Sequence, residues 1–381
     1  GNISEFFDMF IIGFAVSSLL KDPTWHLQGF EAGIILACSG LGTVIGAIMW
    51  GRLADKIGRK NSFLWCTVLF TVFTLACVAV PTDGWILLAA LRILVGIGVG
   101  GLNITSIPYV QEFVPAKQRG LLAGLTAVFI PFGLFLGSMA QIATGTNWRL
   151  LIGHGAIPIL LLLWIRLVPE SPRFLQSRGR LDEAKKALAW ALEMPADQVG
   201  ALPELTEAKS ASYSLIFSKY LKPLAIVSFG SFCFIFGASV IQSWGQSILG
   251  SAYKFDSVMI GYLFIAVSFA DMAGRFSSAW LADRVGRKRV MLVFGLLGAV
   301  GLLIAAGSTM LAGNTSNAGW IFFVGILIAM TFGDGAFGVL NPFGAEQFPN
   351  EVRATGLGLG YGIGASAKVF GPGLLGVMFG A

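Results

Sequence analysis

Long apolar runs separated by short polar turns dominate the chain. Runs of spanning length lie near 6–20, 33–50, 61–80, 85–107, 120–142, 150–168, 223–247, 258–279, 290–311, 319–341 and 355–381. Crossing a hydrocarbon core of about 30 Å takes roughly 20 apolar residues in a helix. The pattern therefore predicts an all-α polytopic membrane protein of eleven spans, too many for signal sequences or core helices. The first run is short, the chain opens at Gly1, and it stops in or just after an apolar run. Both ends read as trimmed, with a twelfth span expected beyond Ala381.

Composition agrees. Only 12% of residues are charged and the mean hydropathy is +0.78, whereas a soluble domain carries about 25% charged residues. The net charge of +6 changes meaning once it is placed. The turns at 51–60, 108–119, 279–289 and 342–353, with the segment 166–222, hold 20 of the 26 Lys and Arg residues. The opposite turns hold Lys21, Arg149 and Lys254. This is a positive-inside bias, and it predicts a cytoplasmic N-terminus in a cell (inner or plasma) membrane. Basic residues spent on topology argue against nucleic acid as a partner. Cys38, Cys66, Cys77 and Cys233 lie in apolar runs without metal or disulfide spacing, and His26 and His154 stand alone. No metal site and no cofactor is implied.

The chain repeats itself. Gly51-Arg52-Leu53-Ala54-Asp55-Lys56-Ile57-Gly58-Arg59-Lys60 follows the second run, and Ala279-Trp280-Leu281-Ala282-Asp283-Arg284-Val285-Gly286-Arg287-Lys288 follows the eighth. Glu112-Phe113-Val114-Pro115 with Arg119 is matched by Glu346-Gln347-Phe348-Pro349 with Arg353. The offsets, 228 and 234 residues, are nearly equal, as expected of a parallel-repeat secondary transporter. The predicted layout is an N-terminal six-helix bundle over 1–168, a cytoplasmic amphipathic linker over 169–222, and a C-terminal bundle over 223–381 with five spans visible.

These turns resemble the signature loops of the major facilitator superfamily, and the resemblance covers the whole chain. Arg92-Ile93-Leu94-Val95-Gly96-Ile97-Gly98-Val99-Gly100 and Pro169-Glu170-Ser171-Pro172-Arg173-Phe174-Leu175 are similar to its sugar-porter branch. Glu5-Phe6-Phe7-Asp8 followed by Met9-Phe10-Ile11-Ile12-Gly13 looks more like bacterial organic-acid carriers, including the nicotinate (niacin) transporters. Departures narrow the substrate. Ile241-Gln242-Ser243-Trp244-Gly245-Gln246 lacks the Gln-Gln…Gly-x-Asn string of sugar porters. Pro131-Phe132-Gly133 lacks the Gly-Pro-x-x-Gly-Gly string of drug antiporters. Ala279 replaces the first Gly of the second signature turn.

Physical reasoning gives the turns a role of their own. Gly58 and Gly286 permit a tight turn, so that Arg59 and Arg287 reach a neighbouring carboxylate or helix end. Asp55, Arg59, Glu112 and Arg119 in one half, and Asp283, Arg287, Glu346 and Arg353 in the other, form candidate gating latches. Several modest ion pairs that break together suit a two-state switch; anchoring of helix ends at the interface is the alternative. Between the halves, Arg180–Trp190 alternates apolar and charged residues at helical spacing, which predicts short surface helices.

Charges within spans are costly and are functional candidates by default. Glu5 and Asp8 lie on the first span, Arg92 on the fourth, Asp271 and Arg275 on the eighth, Asp334 on the tenth and Lys368 on the eleventh. The depths of Asp8 and Arg92, about 18 Å and 10 Å from one end at 1.5 Å per residue, bring them within reach of one another. Burial disfavours a bare carboxylate and a guanidinium favours it, so moving Arg92 toggles the protonation of Asp8. The resemblance implies the same pairing, because proton-coupled sugar-porter relatives pair an Asp of the first span with the Arg opening the fourth. A permanent structural pair in a uniporter is the competing reading. Glu5, one turn from Asp8, is expected to titrate with it. Lys368 is the candidate receptor for a substrate carboxylate, with Asp334 as its partner in the empty site. Asp271 and Arg275, spaced i,i+4, either neutralise each other or touch substrate. Gln242, Trp244 and Asn341 offer hydrogen bonds and a stacking face, although Trp244 could equally be an interfacial aromatic.

The expected activity is proton symport of a small organic acid, nicotinate or another aromatic carboxylate, through alternating access by a monomer in the bilayer. A sugar or polyol facilitator or symporter is the alternative, and a non-transporting receptor or sensor the reading from another class. No nucleophile–base pair, metal cluster or phosphate loop supports an enzyme; Gly96–Gly101 lies within an apolar span instead of after a strand.

Overall fold

The computed structural model describes residues 2–113, 128–200, 202, 213–312, 315–349 and 352–380, and among them it is helical with no strand. Eight helices are long and apolar enough to cross a membrane: Gly29–Ile57, Arg59–Val78, Trp85–Ser106, Trp148–Ile165, Leu221–Ser251, Ser257–Val285, Arg287–Ala306 and Asn317–Glu346. The first span, Asn2–Leu19, the described part of the fifth, Phe132–Thr144, and the eleventh, Arg353–Ala365 with Ala367–Gly380, complete the predicted order. Trp65, Ile86, Leu163, Phe229, Phe276 and Leu303 point outward and are exposed, which only a lipid surround tolerates on this scale. Cys233 is also exposed, unlike the buried Cys66 and Cys77.

Several spans are interrupted. A 3-10 turn at Ile157–Ile159 carrying Pro158 divides the sixth, because a proline ring cannot continue the ladder. The eleventh breaks at Ser366, directly before Lys368. The tenth runs from Thr315–Ile328 through a π turn, Ala329–Gly333, and a 3-10 turn, Asp334–Ala336, to Phe337–Glu346. Single π turns within helices recur at functional positions, and this one delivers Asp334.

Glycine lets the spans approach to backbone contact. A Cβ on Gly42 would lie 2.1 Å from the Ile93 carbonyl, and one on Gly100 would lie 2.2 Å from the Thr43 carbonyl. The second and fourth spans are thereby locked, as small residues allow in lipid. Between the halves, the first span packs on the seventh, the second on the eleventh and the fifth on the eighth. The close contacts of these pairs involve Gly13 with Gln242, Gly33 with Gly376, Gly40 with Lys368 and Gly261 with Ile142. All four lie from the middle of the bundle towards the end opposite the signature turns.

At the signature end each half makes its own turn. Gly58 and Gly286 adopt φ of 100° and 91°, a region that favours glycine. The segment between the halves forms the expected short helices, Pro172–Ser177, Leu181–Leu192 and Tyr213–Lys219. Trp190 packs on Phe113 of the fourth span, and the Arg178 guanidinium donates to the carbonyls of Asp55 and Lys56. The second of these helices is thus fastened to the N-terminal half.

Gly42→Ala should force the second and fourth spans apart and lower stability by roughly 1–3 kcal/mol, the usual cost of overpacking. Gly230→Ala, at a position with nothing within 4 Å, should be neutral or slightly stabilising. Melting curves of the two purified variants in detergent check the contrast.

Candidate functional site

The N-terminal half holds one closed ion pair. Arg92 is buried on the fourth span and its guanidinium grips both oxygens of Asp8, Nη1 donating to Oδ1 at 3.0 Å and Nη2 to Oδ2. Its Nε donates to Ser39 Oγ of the second span at 3.0 Å. Three helices therefore fix one guanidinium, and the two-point fork gives the pair direction as well as strength. The depth argument from sequence correctly brings Asp8 and Arg92 together.

The C-terminal half holds a triad. Arg275 Nε donates to Asp271 Oδ1 at 3.0 Å, and Arg275 Nη2 donates to Asp334 Oδ2 at 2.5 Å. The Asp271–Arg275 pair expected from i,i+4 spacing is present, but it is not self-contained. A Cβ on Gly274 would lie 1.8 Å from the Thr331 carbonyl; this backbone approach seats the π turn and brings Asp334 onto the same guanidinium. Phe337 lies over one face of Arg275 at 5.3 Å, and Phe6, from the other half, lies over it at 5.2 Å.

Between the halves stands a bridge. Lys368 Nζ donates to Glu5 Oε1 at 2.5 Å, and Asn103 Nδ2 donates to Glu5 Oε2 at 2.5 Å. One expectation is corrected here. Asp334 does not pair with Lys368, because the π turn commits it to Arg275. The side chains of Glu5 and Asp8 part, one to Lys368 and Asn103 and the other to Arg92. Tyr361, near Lys368 and Glu5, completes the surroundings.

The neutral candidates fare unevenly. Trp244 is fully buried and its Nε1 donates to the Pro372 carbonyl at 3.0 Å. It pins the seventh span to the eleventh and is neither an interfacial aromatic nor a free donor. Gln242 is buried where Gly13 of the first span packs on its backbone, beside the contact between the halves. Asn341 is exposed on Phe337–Glu346. It lies seven residues beyond Asp334, about 10 Å along the helix, and so belongs with the signature end and not with the charged centre.

The latch residues pair within each half. Arg59 bonds Asp55 at 2.9 Å and approaches Glu112 at 3.8 Å, while Arg287 pairs with Glu346. Asp283 is exposed and makes no ion pair among the described residues. Arg119 and the side chain of Arg353 lie outside the described residues. The quoted Pro169–Leu175 motif has a role that spacing alone concealed. Glu170 Oε1 accepts from the backbone N–H groups of Arg59, Lys60 and Ser171 at 3.0, 3.0 and 2.8 Å, and Ser171 Oγ bonds Glu112. Sequence reasoning also missed Ser39, Asn103 and Phe6; an isolated polar residue in an apolar run was the available signal for the first two.

A charged centre split between two half-bundles, with duplicated charged turns at one end, suits a carrier. The profile of the sugar (and other) transporter family matches residues 1–379. The chain belongs to that family. It is similar to the niacin transporter NiaP of Acinetobacter baylyi, with 28% identity over 96% of this chain and 82% of that protein. It is also similar to the major myo-inositol transporter IolT of Bacillus subtilis, with 27% identity over 93% of this chain and 78% of that protein. Among solved structures it resembles the xylose transporter XylE from E. coli in a partially occluded inward open conformation. That match has a TM-score of 0.72 and 21% identity, and covers 100% of this chain and 94% of that one. The protein is accordingly a multi-pass membrane transporter with the major facilitator fold, and not an enzyme.

Glu170→Gln should weaken the knot that holds the first signature turn. Charge-assisted bonds to a carboxylate contribute about 1.5–3 kcal/mol, so the variant's melting temperature should fall and proteolysis near Gly58 should quicken. Limited digestion of wild type and variant measures this.

Proposed function

We propose that the transporter imports a small organic acid together with protons, and that nicotinate or another aromatic carboxylate is the substrate. The observation that carries this reading is the Lys368–Glu5 bridge. An ammonium in a low-dielectric centre needs an anionic partner, and here the partner is a carboxylate from the opposite half. A substrate carboxylate can replace it without leaving Lys368 bare, so exchange is nearly balanced in energy. The likeness to the niacin transporter NiaP of Acinetobacter baylyi, 28% identical, and to the putative niacin/nicotinamide transporter NiaP of Bacillus subtilis, 26% identical, supports a niacin-like substrate.

Transport then follows from which pairs cross between the halves. Asp8–Arg92 and Asp271–Arg275–Asp334 each stay within one half as the bundles rock. Glu5–Lys368 spans them. Substrate on Lys368 releases Glu5 and with it the tie between bundles. Asp8 carries the coupled proton, and Arg92 governs it: while the fork is closed the carboxylate is satisfied as an anion, and opening the fork leaves a buried carboxylate that takes up a proton. The positive-inside bias puts the signature turns in the cytoplasm. Close packing at the opposite end then makes the described state inward-facing, with the latches ready to re-pair as the bundle alternates. A neutral polyol is the second reading, favoured by the likeness to the myo-inositol transporter IolT.

Lys368→Gln should weaken binding of the acid by about tenfold or more, equivalent to about 1.4 kcal/mol, while binding of the corresponding amide changes little. Thermal-shift titration with nicotinate, nicotinamide and myo-inositol reads this; equal loss for acid and amide makes Lys368 structural, and stabilisation by inositol alone selects the polyol reading.

Asp8→Asn cannot take or release a proton. Uptake into proteoliposomes should lose its response to an imposed pH gradient, while counterflow at equal pH partly survives. Full gradient-driven accumulation by the variant excludes Asp8 as the carrier.

A further inference from the structure

Six charged side chains lie buried at the centre of the described bundle with a seventh, Lys368, half-buried beside them, and their charges do not balance. Glu5, Asp8, Asp271 and Asp334 face Arg92, Arg275 and Lys368. Asp8–Arg92 and Glu5–Lys368 are pairs of one acid and one base. The surplus carboxylate is therefore in the triad, where two acids share the single guanidinium of Arg275. Asp271 is 0% exposed and Asp334 2% exposed, so neither disposes of its charge into water. Asp271 Oδ2 is buried and makes no hydrogen bond, although the Asp334 carboxyl is within its reach. Two bare carboxylates offer only acceptors and cannot bond each other; a proton between them supplies the missing donor and cancels the surplus charge.

We infer that the Asp271–Asp334 pair is a proton-binding site, separate from Asp8 and in the opposite half of the transporter. Arg275 binds Asp271 Oδ1 and Asp334 Oδ2, and the unbonded Asp271 Oδ2 is the oxygen through which the two acids share the proton. The nearest other titratable groups are Lys368 and Tyr361 on the eleventh span, and Lys368 is occupied by Glu5. The fifth span contributes no titratable group over Phe132–Thr144. The seventh has Lys222 at its signature end and Cys233 exposed outward; the ninth has Arg287, Lys288 and Arg289 at that same end. Among the described residues, Arg275 is the one cation that forms an ion pair with either acid.

The seal on this site is borrowed. Phe337, of the same half, covers one side of Arg275, but Phe6 belongs to the first span. Rocking the halves withdraws Phe6 and opens the triad, so its proton exchanges only when the transporter changes state. This site follows from charge and burial in one half alone, and stands whether the substrate is an acid or a polyol.

Infrared difference spectroscopy on the protein in lipid nanodiscs at neutral pH tests it. Wild type should show the carbonyl stretch of a protonated carboxylic acid, lost in both Asp271→Asn and Asp334→Asn because each leaves one acid for one guanidinium. Asp8→Asn should retain the band. Either triad variant decides if the other fails to fold, as checked by its melting curve. Absence of the band in wild type, or its persistence in a folded triad variant, overturns the site. Phe6→Ala should speed hydrogen–deuterium exchange of the band severalfold; an unchanged rate overturns the seal.

Discussion

Buried charge must be paired, and the central architecture of this transporter is arranged around that requirement. A charge left alone in a spanning segment costs several kcal/mol, so each ionisable group at the centre obliges a second helix to come to it. Arg92 draws the first and second spans to the fourth through Asp8 and Ser39. Arg275 draws the tenth to the eighth through Asp334. Lys368 draws the C-terminal half to the N-terminal half through Glu5. The first two obligations are met within a half-bundle and survive its motion as a rigid body. The third is met across the halves, so it alone of the three ties one bundle to the other.

The geometry that satisfies these charges depends on residues with no charge at all. Gly42 and Gly100 let the second and fourth spans touch along their backbones, and Gly274 does the same for the eighth and tenth. Without that approach the carboxylates and guanidinium groups would stand too far apart to bond. The π turn at Ala329–Gly333 adds the last adjustment by rotating Asp334 onto Arg275. Close packing, helix distortion and electrostatics are thus one device, with small residues setting the distances at which the charges act.

The signature turns apply the same logic at the rim. Gly58 turns with positive φ at a site that leaves no room: a Cβ there would lie 2.3 Å from Glu170 Oε2. Gly286 makes the same turn with nothing within 4 Å. The two latches are therefore alike in sequence but unlike in support. The N-terminal one is tied by Glu170, Ser171 and Arg178 into the linker helices, whereas the C-terminal one rests on Arg287–Glu346.

The sequence by itself determined the class, the eleven spans, the duplication and the identity of the buried charges. Each of these is local: hydropathy over a window, a repeated string, a charge inside an apolar run. It also paired Asp8 with Arg92, because their depths along two helices lie within reach of a long Arg side chain, and Asp271 with Arg275, because they share one helix face. It failed wherever the partner depended on helix rotation or distortion. Asp334 was expected on Lys368, but a π turn that no periodicity announces redirects it. Trp244 reads equally as a ligand contact or an interfacial aromatic, yet its indole N–H is given to the Pro372 carbonyl, a bond set by how the seventh span faces the eleventh. Asn341, a hydrogen-bonding candidate of the tenth span, lies exposed beyond the turns that follow Asp334. Which carboxylate meets which cation across the two halves is decided by rotation, kinks and the approach of backbones, and these arise only when the helices pack together.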